Sequence, residues 1–320
     1  MIEFEKLAKS ILIECCRKGV QDLHFLPQRS GYLLKRRTQE GYLPPEEISD
    51  DWAERILNHL KFNAEMDLTE HRRPQLGAWQ IKDSGQTIYL RMASVGNFLN
   101  RESLVIRFIY PLREQLNCLL PAQMMQLQEQ CQQRGLIVFA GPTGAGKTST
   151  MYYLARQLQQ DKLVMAIEDP IEIYMPDFLQ VQVNLDAKMS YPKLLKASLR
   201  HRPEILIIGE IRDHKTAIAA VRAALSGHLV FSTVHARSAQ GIWARLTDFG
   251  VRPEELRMAL NAACYQRLMP RTNGETAVLY DLQTQFETDE NPLQQWQQNL
   301  QEAQRHGSID AQTRQQFWYG

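Results

Sequence analysis

The run Gly141-Pro142-Thr143-Gly144-Ala145-Gly146-Lys147-Thr148 satisfies the spacing G-x-x-x-x-G-K-[ST]. Glycines so placed let consecutive backbone N–H groups curl around phosphate oxygens, and a helix that starts at the loop adds its partial positive charge. Lys147 is then the residue that reaches the β- and γ-phosphates, and the Thr148 hydroxyl is a ligand for Mg²⁺, with Ser149 next to it. The context fits: an apolar run at 136–140 enters the loop, and Tyr152, Leu154, Ala155 and Leu158 leave it at helical spacing. These residues predict a site for ATP and Mg²⁺.

Three further apolar runs end on residues that could act there. Residues 205–208 are followed by Gly209 and Glu210, residues 163–167 by Glu168 and Asp169, and residues 229–234 by His235. Strand ends line the ligand crevice of an open α/β sheet, so polar residues at those ends meet the phosphates. Glu210 could hold a water on Mg²⁺ or polarise the attacking water, with Glu168 as its rival. His235 is a third candidate.

The elements that must position them read as two domains. Residues 122–285 alternate helices with buried strands, which predicts an α/β domain whose parallel sheet has helices on both faces. Residues 1–111 read as a small α+β domain. Its first helix carries Phe4, Leu7, Ala8, Ile11, Leu12 and Cys15, and a second is capped by Asp51 and Glu54. Strands are expected at 23–26, 32–36, 87–93 and 103–110, with a linker at 112–121. Residues 286–320 are Gln-rich, with Trp296, Leu300 and Ala303 loosely spaced, and read as a weakly packed helix or mobile tail.

Composition narrows the class. Of 320 residues, 37 Lys and Arg against 36 Asp and Glu leave a charge of +1, which argues against a mainly electrostatic grip on nucleic acid. No apolar stretch approaches the roughly 20 residues that span a bilayer, and the acidic first turns do not suit a signal peptide. Five Cys without a C-x-x-C pair make disulfides and structural zinc poor expectations. A soluble intracellular protein is expected.

Taken in order, these blocks resemble the secretion and type IV pilus traffic ATPases, the GspE/PilB/PilT superfamily. Residues 141–148 match its Walker A block, and residues 166–172, Ala-Ile-Glu-Asp-Pro-Ile-Glu, look like its Asp box. Residues 199–204 and 209–213 are similar to its Walker B block, which also ends in Gly-Glu. Gly227-His228 and residues 232–236 look like its His box. Upstream, Arg72-Arg73-Pro74-Gln75 with Gly77, and the segments around Arg91, Arg101 and Arg107, resemble its second N-terminal domain. Downstream, Arg245-Leu246, Phe249-Gly250 and Gln266-Arg267-Leu268 also fit, so residues 20–282 are covered. A zinc module and a retraction motif are missing, and the layout is short. That combination is similar to the competence ATPases of Gram-positive bacteria, the ComGA type.

The resemblance implies a RecA-like P-loop domain behind a PAS-like N-terminal domain, assembled as a hexameric ring. Arg91, Arg101 and Arg107 would then be the residues that reach phosphates across an interface. It also implies a cytoplasmic motor, held at the membrane by a polytopic platform protein, that builds a competence pseudopilus for DNA uptake without binding DNA itself. No zinc is expected. Two rivals stay open: another secretion or retraction ATPase, and a RecA-like translocase acting on DNA directly.

Overall fold

The computed structural model describes residues 2–38, 41–83, 85–112, 114–184, 187–286 and 293–320, with side chains from residue 5 onward. It divides into two compact units, Met1–Pro111 and Leu112–Gly320. The first contains α1 (Ile2–Arg17), β1 (Asp22–Pro27), β2 (Tyr32–Arg37), β3 (Glu46–Ile48), α2 (Asp50–Asn63), β4 (Gln75–Asp83), β5 (Gln86–Gly96) and β6 (Glu102–Ile109). These strands form an antiparallel sheet in the order β3-β2-β1-β6-β5-β4. Period-two alternation sends Ile88, Leu90 and Met92 of β5 inward, where they join Leu12 and Cys15 of α1 and Ile56 and Leu60 of α2 in one core. The side chain of Phe4, assigned to the same stripe by its spacing, lies outside the described residues.

Two details of this unit differ from the sequence reading. The cap of α2 is Ser49, whose hydroxyl accepts from the Trp52 N–H, while Asp51 instead pairs with Arg55 one turn on. The cap therefore lies two residues earlier than the acidic pair suggests. β4 has no apolar alternation to reveal it, because Leu76 faces outward at 78% exposure and Gly77 faces in. A Cβ at Gly77 would lie 2.6 Å from both Ala64 O and Met66 Cγ, so the strand can pass α2 only without a side chain there.

The second unit contains α3 (Pro121–Gln130), β7 (Gly135–Ala140), α4 (Lys147–Leu158), β8 (Val164–Glu168), β9 (Leu179–Gln182), α5 (Tyr191–His201) and β10 (Ile205–Ile208). It continues through α6 (His214–Leu225), β11 (Leu229–Thr233), α7 (Ala239–Asp248), α8 (Pro253–Ala259), β12 (Leu260–Pro270), β13 (Thr276–Gln283), α9 (Gln294–Arg305) and α10 (Ala311–Gln316). The sheet order is β13-β12-β7-β11-β10-β8-β9, parallel throughout except for the β12–β13 hairpin. This is the α/β class with a mostly parallel sheet. β7 shows why such a strand reads as an unbroken apolar run: Leu136, Val138 and Ala140 enter one core while Ile137 and Phe139 enter another on the opposite face.

Two segments are corrected. The stretch at 112–121 is no free linker. Leu119 and Leu120 are buried, and Leu119 N–H donates to Val278 O while Val278 N–H donates to Asn117 O, a ladder onto β13. Arg113 within it lies outside the described residues. The Gln-rich segment after 286 is no weakly packed tail either, although residues 287–292 lie outside the described residues. Trp296, Leu300 and Ala303 are fully buried in the main core, Trp296 Nε1 donates to Phe317 O at 2.8 Å, and the indole meets Tyr265 edge-on. Its glutamines face water on one side of α9, and composition averages over both sides.

Candidate functional site

Because β7 is buried along its whole length, it delivers the phosphate loop from a fixed strand end. Gly141 has φ +144°, and a Cβ there would stand 2.4 Å from Gln266 O, so the position excludes any other residue. Gly144 at φ +80° opens onto free space, and Gly146 at φ +82° begins α4 without a side-chain cap. The first N–H groups of α4 are thus left for an anion. Pro142, Thr143 and Gly144 are exposed, Ala145 is buried, and Ser149 lies in the first turn of α4. Lys147 folds back over the loop, donating to Gly141 O at 2.8 Å and Pro142 O at 2.9 Å. Burial pulls its ammonium below the ordinary lysine value, and the charges of Glu172 and Glu210 oppose that pull.

The carboxylates gather on the neighbouring strand ends. The Thr148 hydroxyl donates to Glu172 Oε2 at 2.7 Å. Glu210, just past β10, accepts from Arg212 Nε at 2.8 Å through one oxygen. Its other oxygen is buried and unaligned with any donor among the described residues, although His235 Nε2 stands 2.9 Å away. His235 itself is largely exposed after β11. Glu168 differs. It is buried at the end of β8, where Tyr152 of α4 donates to it at 2.7 Å. Burial pushes its carboxyl up to about 7, with the Tyr152 hydrogen bond pulling down and the charge of Glu172 adding to the rise. The two carboxyls named from the sequence thus have unlike environments: Glu210 stands between Arg212 and His235 at a part-exposed strand end, whereas Glu168 is an interior group.

Lys147, Thr148, Glu168, Glu210 and His235 all lie on the loop or on strand ends of one sheet. Arg91, Arg101 and Arg107 belong to the N-terminal unit and have local roles there. Arg101 pairs with Asp50, donates to the carbonyls of Gln28 and Gly31, and lies over the Tyr32 ring. Arg107 Nε donates to Asp22 at 2.8 Å, and Arg91 faces Arg107 across the β5–β6 pairing. Glu172 was not singled out from the sequence. Its signal was present, since it lies in the same acidic segment as Glu168, but nothing in the spacing said that it would meet Thr148.

The donor set suits Mg·ATP: glycine N–H groups and Lys147 for phosphate, and hard oxygens from Thr148, Glu172 and Glu210 for the cation. Among the described residues no group of three or more His, Cys, Asp and Glu is arranged to hold a metal alone. A cation that arrives with phosphate ligands has no need of one.

The family model described as "Type II/IV secretion system protein" matches residues 2–314. The competence protein ComGA of Streptococcus pneumoniae strain R6 is 41% identical over 265 residues, covering 83% of this chain and 84% of that protein. ComGA of Bacillus subtilis strain 168 is 35% identical over 275 residues, covering 84% and 77%. Among solved structures, the Legionella pneumophila ATPase DotB superposes with a TM-score of 0.73 at 17% identity, covering 96% of this chain and 93% of that one. The pilus retraction motor PilT with bound ADP gives 0.71 at 23% identity, covering 96% and 95%. At those identities the two structures speak for the fold alone.

Proposed function

The chain belongs to the type II/IV secretion system protein family and is an ATPase of the P-loop type, and from that premise we propose that it is the motor of a competence pseudopilus. One observation carries the ATPase chemistry: Lys147 and Thr148 on one phosphate-loop helix meet Glu172 and stand within the electrostatic reach of Glu210. The loop glycines and Lys147 bind and orient the phosphates, and Glu172 fixes the Thr148 hydroxyl. Glu210 orients the attacking water, with His235 beside it. Mg²⁺, when bound, neutralises charge on the phosphates. Positioning and charge neutralisation are most of what phosphoryl transfer asks of a protein.

The ComGA relatives support the competence assignment, in which the motor drives pseudopilus assembly and so DNA uptake. The motor works as a hexamer on the inner face of the membrane. No helix among the described residues is long and apolar enough to cross a bilayer; in this reading the docking partner is a polytopic platform protein. The test is a Lys147→Ala strain whose sheared surface fraction is immunoblotted for pseudopilin. We expect pseudopilin to be synthesised but absent from the surface, with DNA uptake lost. Normal surface pseudopili alongside failed DNA passage would instead favour a translocase.

A further inference from the structure

Gln266 on β12 and Tyr280 on β13 are paired across the hairpin, so their side chains share one face. Both are completely buried. Gln266 Nε2 donates to Ala145 O, inside the phosphate loop, at 2.7 Å. The Tyr280 hydroxyl lies 3.1 Å from Thr150 Oγ1, one turn into the helix that the loop begins. The main chain of Gln266 takes part as well, because its carbonyl is the atom that leaves room only for glycine at 141. The loop thus meets the hairpin at its start, its last turn and its helix.

We propose that Gln266 and Tyr280 are a positioning pair that holds the phosphate loop in its phosphate-binding shape before nucleotide arrives. The inference rests on the reading of that loop as the ATP site. The amide of Gln266 is poorly suited to a purely structural role. Its Oε1 is buried without a partner among the described residues, a desolvated acceptor that an apolar residue of the same length would not have. What the amide gives in return is the bond to Ala145 O, which orders a glycine-rich loop that otherwise loses conformational freedom on binding. Removing the amide relieves the unpaired Oε1 but also takes the donor from the buried Ala145 O, so stability should change little while affinity falls. Tyr280 is itself held in place. Gln123 of α3 brackets its backbone, donating to its carbonyl and accepting from its N–H, and Asn299 of α9 donates to the same carbonyl.

The experiment compares full-length wild type, Gln266→Met, Tyr280→Phe and Lys147→Ala for the KM and kcat of ATP hydrolysis, ATP affinity and the melting temperature without nucleotide. For Gln266→Met we expect KM and Kd to rise about tenfold, kcat at saturation to stay within about twofold, and the melting temperature to change little. Tyr280→Phe should raise KM about threefold with kcat retained. If Gln266→Met does not fold, Tyr280→Phe decides. Affinities within twofold of wild type, or losses that track a falling melting temperature, overturn the pair. Lys147→Ala separates the two levels: if it binds ATP like wild type the site reading itself fails, and if it alone loses affinity only the pair fails.

Discussion

In the proposed site Lys147 and Glu210 act on the same phosphate but make contributions that separate on substitution. Lys147→Ala removes ground-state and transition-state attraction together, so ATP affinity should fall at least about tenfold along with the rate. Glu210→Gln keeps shape and removes the charge that orients water. Binding should stay within about threefold while phosphate release falls by about a hundredfold or more. Turnover at the wild-type rate in that variant would move the role to Glu168. Asp281 leads to a prediction about pH. It is fully buried, and burial pushes its carboxyl up to about 7 from an ordinary 3.8. An acid raised in the folded state holds its proton longer there than in the unfolded chain, so stability falls as pH rises between about 4 and 7. Glu168 works in the same direction over a similar window. Asp281→Asn should therefore raise the melting temperature clearly more at pH 8 than at pH 5. The gain is roughly 2–4 °C for each kcal/mol recovered, and calorimetry at the two pH values checks it.

α9 shows what the sequence could and could not disclose at the scale of elements. Trp296→Ala empties a fully buried site and removes the indole's bond to Phe317 O, which should cost about 3–5 kcal/mol in chemical denaturation. A weakly packed tail would lose almost nothing. The helix period at 296, 300 and 303 was readable, but the glutamines between them masked how deep the stripe goes. β7, β8, β10 and β11 were legible because strands buried on both faces are continuous apolar runs, and the same runs located the strand ends that carry Glu168, Glu210 and His235. β4 and β9 were not, since one turns Leu76 outward and the other is a short, half-exposed edge. In the site, loop and strand-end residues could be read from local spacing. The Thr148–Glu172 bond and the grip of Gln266 on Ala145 span 24 and 121 positions and are set by strand order, which no local pattern encodes.

For the whole molecule, the proposed ring makes hydrolysis a property of the assembly. Light scattering on the ATP-bound protein should report six copies, and an active monomer would count against the motor. Arg107→Ala should abolish turnover and also cost about 1–3 kcal/mol of stability, because the Asp22 carboxylate that it leaves behind is only 8% exposed. Dilution of fully folded variant into wild type, followed by the rate, separates an interface role from simple unfolding. The order of strands in the second sheet also bears on how the chain is made. β7 is its first strand to leave the ribosome, yet both of its neighbours, β11 and β12, are encoded roughly a hundred residues later. At ordinary elongation speeds this fully apolar strand waits on the order of ten seconds with both edges bare. During synthesis, then, the segment that leads into the nucleotide loop is one that needs a chaperone's cover.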